Sequence, residues 1–257
     1  MTLKELREEA WTIARDTASI DSDKLWPKAE MNLYINRVYN HIARETKCIR
    51  DSITPDICRI AVAPPTDLAD LTTKAASDSF YAQDLAWYNN VNSWLYGQLV
   101  APYSFALSPK ILEIMEVKWT VSQWRLTKVS AQKWQQNSWW EQVIGMPTEY
   151  ATDLDTNRIA LNYRLTSSDT LRLNVKRMPL AKLSSDTDTP EFKEQYQELM
   201  INGILMWMYG KQDAEAFDME KRDRYEARFM KDIDEIKQEE EFLDRRLKPN
   251  NSLDAFR

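Results

Sequence analysis

Four glycines, two cysteines and one histidine are all that 257 residues hold of the types on which many compact catalytic and binding motifs are built. Gly97, Gly145, Gly203 and Gly210 stand too far apart for a G-x-G-x-x-G turn or a G-x-x-x-x-G-K loop, so neither phosphate cradle can be written. A single histidine, His41, excludes H-E-x-x-H and the usual Cys/His zinc sets, and it leaves one candidate base for any Ser or Cys triad. Cys48 and Cys58 are ten positions apart, which excludes a C-x-x-C pair and reads as two free thiols of a cytoplasmic protein. Excess basic charge is also missing. With 34 Lys and Arg against 40 Asp and Glu the net charge is −6, and nothing draws the chain as a whole to a phosphate backbone. No 18-residue apolar run occurs, and MTLKELREEA reads as an amphipathic helix rather than a signal peptide. The expectation is a soluble protein with no membrane partner, no metal and no cofactor.

What is present is a globular composition, 43% hydrophobic and 29% charged, sufficient for a sizeable core. Thr2 followed by Glu5 is a capping-box pair and starts a first helix carrying Leu3, Leu6, Ala10, Ile13 and Thr17 on one stripe. Pro27 suits the first turn of a second helix running to about Arg50. There Met31, Tyr34, Ile35, Val38, Ile42 and Ile49 share a face opposite Arg37, Asn40 and Arg44. Near the other end, Thr189 is the expected N-cap and Pro190 the first residue of a third helix, with Phe192, Tyr196, Leu199, Gly203, Met206 and Trp207 on one face. Ile201, Ile204 and Met208 make its second half apolar nearly all round, so that half is buried on both sides, within the fold or against another subunit. Gly210 fits a left-handed helix end. A fourth, highly charged helix is expected from Ala214 to Asp244 on a narrow seam of Tyr225, Phe229, Ile233, Ile236 and Leu243.

Between residues 54 and 179 the helical period gives way to alternation. Ile159, Leu161, Tyr163 and Leu165, then TSSD, then Leu171, Leu173 and Val175 predict a hairpin with one buried face. ILEIMEVKWT, residues 111–120, predicts another strand, and SAQKWQQNSWWEQVIGMP a short helix or irregular connection. Residues 62–108 form an aromatic-rich insertion with no assignable element. The fold class is therefore α+β: a helical bundle from N- and C-terminal helix pairs around a small antiparallel β region. Its segments are 1–53, 54–180, 181–246 and an extended tail, 247–257, in one compact domain plus tail.

Candidate chemical sites do not survive their ordinary readings. His41 lies seven residues from Cys48, about 10 Å of helical rise, so the two make no nucleophile–base pair. Glu113 with Glu116, or Asp153 with Asp155, are acids whose separation across a cleft the sequence does not define. The acids of 232–244, seven against the single base Lys237, read first as a solvated helix face, with a surface that repels DNA as the functional reading. Seven tryptophans between 87 and 140, including Trp119, Trp124, Trp134, Trp139 and Trp140, read first as core, then as a protein interface, and last as platforms for sugar rings. No catalytic residue is expected.

The order of WPKAEMNLYINRVYNHIARET, ILEIMEVKW, GMPTEY, the run NRIALNYRLTSSDTLRLNVKRMPL and the long segment DTDTPEFKEQYQELMINGILMWMYGKQDAEAFDMEKRDRYEARFMKDIDEIKQ resembles the head-to-tail adaptor, or head-completion, proteins of tailed bacteriophages. The resemblance covers over half the chain and lies in order and spacing rather than in any one motif. It implies a structural virion protein at the head–tail junction, assembled in the host cytoplasm as a homo-oligomer ring of twelve copies in that family. It further implies a portal protein above, a downstream tail or nozzle protein below, and DNA passing through the channel without specific binding. By the same resemblance 248–257 is the portal-docking tail, with Lys248, Leu253, Phe256 and Arg257 as its contacts. Ile204, Met208, Trp139 and Trp140 are the expected subunit interface. The insertion at 62–108 is longer than the family pattern. A carbohydrate-binding or glycan-processing module using the tryptophans is the alternative, and a stand-alone interaction domain a third reading.

Overall fold

Among the described residues the buried apolar side chains fall into two large clusters and a smaller one. The computed structural model describes residues 1–16, 18–20, 23–64, 66, 68–78, 82, 103–136, 140, 143–212 and 217–247. In chain order its elements are α1 (Leu3–Ala14), α2 (Lys28–Thr46), β1 (Arg50–Asp51), α3 (Pro55–Cys58), β2 (Arg59–Val62), α4 (Leu68–Ser77), β3 (Ser104–Ala106), β4 (Ile111–Trp119) and β5 (Thr127–Lys128). They continue with α5 (Ala131–Gln135), β6 (Glu149–Ala151), β7 (Arg158–Leu161), β8 (Asp169–Arg177), α6 (Glu194–Tyr209) and α7 (Met219–Leu247). One compact unit comprises Met1–Arg50 with Lys176–Arg257, the other Asp51–Val175, so the chain crosses between them at β1 and at the end of β8. The class is α+β.

The helical unit brings the two terminal helix pairs together. Thr2 and Glu5 close the expected capping box: the Glu5 N–H donates to Thr2 Oγ1 at 3.2 Å and the Thr2 N–H to Glu5 Oε2 at 2.7 Å. α1 stops at Ala14 because Arg15 turns left-handed, at φ 61°, and α2 stops at Thr46, short of Arg50, because Lys47 does the same at φ 51°. Met31, Tyr34, Ile35, Val38 and Ile42 form the buried stripe of α2. α6 begins four residues later than Thr189 and Pro190 suggest. The Asp188 carboxylate accepts the N–H groups of Ser184 and Ser185, and the Glu191 N–H donates to Tyr39 Oη, holding this stretch as a strap whose Phe192 is already buried. Gly210 ends α6 at φ −84°, not left-handed, with its N–H on the Met206 carbonyl. α7 buries Tyr225, Phe229, Ile233 and Ile236, and it begins at Met219 rather than Ala214. At the centre Gly203 permits the closest approach, since a Cβ there would stand 2.8 Å from Phe229 and 2.9 Å from Val38.

The second unit holds two sheets sharing one core. β2 runs antiparallel on β8, from Arg59 opposite Arg172 to Val62 opposite Asp169, and β4 also pairs β8. The other sheet has the order β3-β7-β6-β5, antiparallel except for the parallel β5–β6 pair. The expected hairpin is therefore absent. β8 buries Leu171, Leu173 and Val175 in alternation, but β7 buries Ile159, Ala160 and Leu161 in succession, and the two strands lie in different sheets. Just beyond β7 the Asn162 carboxamide oxygen accepts the N–H groups of Thr148 and Glu149, each at 3.1 Å, at the start of the neighbouring strand β6. Alternation defines which face is buried; it does not name the neighbouring strand. Val117, Trp119, Ile159, Leu161, Leu171 and Leu173 fill the space between the sheets, and a smaller cluster holds Tyr103, Trp134 and Trp140. Of the insertion at 62–108, α4 and β3 are defined, and most of 79–102 lies outside the described residues.

Candidate assembly surfaces

Of the residues nominated as a subunit interface, Ile204, Met208 and Trp140 are buried within the chain. Ile204 and Met208 are fully buried in the helical unit's own core, packed by α2 and α7, so this side of α6 is covered within one chain, while Trp207 stays 39% exposed. Trp140 is 7% exposed, tilted against Trp134 at 5.1 Å and edge-on to Tyr103 at 5.2 Å. Trp139 and the docking-tail residues Lys248, Leu253, Phe256 and Arg257 lie outside the described residues. His41 sits 5.7 Å from the Phe229 ring. Burial pushes the Cys48 thiol up to about 11, which removes it as a nucleophile near neutral pH. Among the described residues no cluster of three His, Cys, Asp or Glu has a metal-binding arrangement.

What the fold does build is a clamp around the last turns of α7. Glu240 lies on the apolar seam, 3% exposed, where a lone carboxylate is costly to desolvate. It is compensated fully: Arg50 Nε and Nη2 donate to Oε2 at 3.1 and 2.7 Å, while Lys193 Nζ and Tyr196 Oη donate to Oε1 at 3.1 and 3.2 Å. One turn on, Asp244 pairs with Arg50 at 3.0 Å and with Lys176. Glu239 adds Lys193 at 3.1 Å and the Gln195 amide. Burial alone would lower Lys193, but its hydrogen bonds to Tyr196, Glu240 and Glu239 prevail and raise it above the usual lysine value. Burial raises Tyr196 to about 12. Both stay protonated at physiological pH, so the clamp keeps its donors. Its chemical capacity is positional, fixing where the chain leaves α7 at residue 247.

A second feature lies on the flank of the helical unit. A depression of about 400 Å³ has Met206, Trp207, Phe229 and Met230 as its apolar lining and Arg37 and Arg44 among its polar residues. The Arg37 guanidinium stands 5.1 Å over the Trp207 ring, which also stacks on Tyr34 at 6.3 Å. A neighbouring depression of about 310 Å³ shares Arg37 and Asn40 and adds Leu33 and Lys182. The sequence reading placed Arg37, Asn40 and Arg44 on one polar face of α2 but missed that Trp207 flanks them. Glu240 is not among the residues the sequence pattern nominates, although an acid four positions beyond Ile236 and three before Leu243 on the seam is a legible signal.

The β unit carries an apolar projection. Beyond β4 the Lys118–Arg125 bridge, the Trp119 N–H on the Trp124 carbonyl at 3.0 Å and the Arg125–Glu116 ion pair at 2.6 Å form a tight loop. It presents Val121 and Trp124, 79% and 64% exposed, while Trp119 is fully buried.

The profile of the SU10 adaptor protein family matches residues 1–251, nearly the whole chain. No curated protein matches it. The chain belongs to the SU10 adaptor protein family.

Proposed function

We propose that this member of the SU10 adaptor family is a structural, non-enzymatic protein of a phage virion that completes the head–tail junction. About twelve copies form a closed ring beneath the portal, extend the DNA channel without specific contacts to DNA, and offer the opposite face to the next tail or nozzle protein. Assembly takes place in the host cytoplasm. The observation that carries this reading is the family match over residues 1–251. The clamp supports it: an adaptor that docks through its C-terminal segment needs a fixed point of departure, and Glu240 and Asp244 are held by Arg50, Lys176 and Lys193 at that point. The tail, residues 248–257, orders on the portal, and Leu253 and Phe256 supply burial that offsets the entropy of ordering.

Nothing supports a carbohydrate-binding role. Trp119, Trp134 and Trp140 are buried, and Trp124 is the exposed indole among the described tryptophans of the β unit, so these make no row of platforms. Among the described residues no helix is long and apolar enough to cross a membrane.

The test is removal of residues 248–257. The shortened chain keeps the circular dichroism and melting profile of the full chain and no longer co-sediments with purified portal rings. Undiminished portal capture by the shortened chain contradicts the assignment of the tail.

A further inference from the structure

We infer that the cationic trough on the helical unit is the seat of a second copy of this chain, occupied by the outer face of that copy's α7. The inference rests on the ring reading above and names the surfaces through which the ring closes. The trough stands out against the charge of the whole molecule, which is net −6. Its cationic residues are Arg37, Arg44 and Lys182, with His41 and neutral asparagines beside them, against one acid, Glu226, which already takes Arg222 at 3.3 Å. Among the described residues Arg37 makes no ion pair, and Arg44, 64% exposed, has only its sequence neighbour Glu45 at 3.8 Å. Between them Leu33, Trp207 and Met230 are 49%, 39% and 48% exposed. A surface that is both apolar and cationic asks for an occupant that is apolar and anionic.

This chain carries such a surface. From 232 to 244 the only base is Lys237, and it turns inward to Glu45 at 3.5 Å. Spacings of three and four residues place Glu235, Gln238 and Phe242 along one exposed line, with Asp234 and Glu241 beside it. Phe242 is 53% exposed, with the Arg246 guanidinium 4.4 Å over its ring, and sets an apolar group among these acids. Asp234 makes no ion pair among the described residues, while Glu235 and Glu241 have only exposed partners, Lys231 at 3.4 Å and Arg245 at 3.5 Å, which cost little to exchange. Phe242 entering the methionine-lined depression, with Asp234 and Glu235 toward Arg37 and Arg44, satisfies both sets of groups. Methionine side chains adapt readily to an aromatic ring. Two different surfaces on one chain meeting between copies is the heterologous contact that a ring requires.

The test uses the full chain with exposed residues changed in pairs, assembly being read by sedimentation velocity in the absence of portal and by native mass on portal rings. Arg37→Glu with Arg44→Glu, and separately Asp234→Arg with Glu235→Arg, each raise the concentration for half-assembly by about tenfold or more, and the chain carrying all four changes returns to within about threefold of the original. Phe242→Ala weakens assembly with no change of charge. Melting curves matching the parent show that the variants are folded. Unchanged assembly in either pair, or a four-change chain no better than the pairs, overturns this contact while leaving the ring intact. A parent chain that forms no multi-copy species in either setting removes the ring reading and this contact with it.

Discussion

Arg50 holds Glu240 through two nitrogens, Nε at 3.1 Å and Nη2 at 2.7 Å, both on the same carboxylate oxygen. One residue lies where the chain leaves the helical unit, and the other lies two turns from the end of the longest helix. The other oxygen of Glu240 is taken by Lys193 and Tyr196, so no donor or acceptor in this buried group is left to water. Breaking one member of such a set leaves charge stranded in the core. Glu240→Ala is expected to lower stability by about 3 kcal/mol, and Arg50→Ala by about 2 kcal/mol because Lys193 and Tyr196 remain. Urea unfolding followed by circular dichroism measures both; equal, small losses contradict a coupled clamp.

Gly203 offers a sharper test of packing. Alanine is the better helix former by about 1 kcal/mol, so on propensity alone Gly203→Ala stabilises α6. The new methyl group would lie within 2.8 Å of Phe229 and 2.9 Å of Val38, and both side chains sit in a filled core. Overpacking of this kind costs about 1–3 kcal/mol, which reverses the sign. The expected result is a melting temperature below the parent's. A higher one shows that α2 and α7 can move apart at this point.

How much of this the sequence discloses depends on the range of the interaction. The α1 capping box and the stripe from Met31 to Ile42 are local, and both appear where Thr2, Glu5 and the three- and four-residue spacing put them. The narrow apolar seam of the otherwise charged α7 is legible for the same reason. Partners distant in sequence are not. β8 has the expected alternation, but β7 is covered on both faces and pairs with β3 and β6 in another sheet, pairings that no local pattern names. Ile204 and Met208 look like interface residues because apolarity all round a helix says that it is covered, not by which chain. The clamp joins Arg50 to Glu240 across 190 positions, beyond any local pattern.

The tryptophans separate burial from display on a single strand end. Trp119 is fully buried with its indole N–H on the Pro147 carbonyl at 3.2 Å, while Trp124 is 64% exposed five residues later. Trp119→Ala is expected to cost about 3–5 kcal/mol and Trp124→Ala no more than about 0.5 kcal/mol. Thermal denaturation of the two variants reads the difference. Comparable losses contradict the assignment of Trp124 to a free surface.

The claim on which the rest turns is that the protein works as one of many copies on a portal. Native mass spectrometry of purified portal rings saturated with the full chain measures this directly. The account predicts one dominant mass increment of about twelve chains per portal, appearing cooperatively. Random partial loading by independent single copies, or no increment at all, contradicts it.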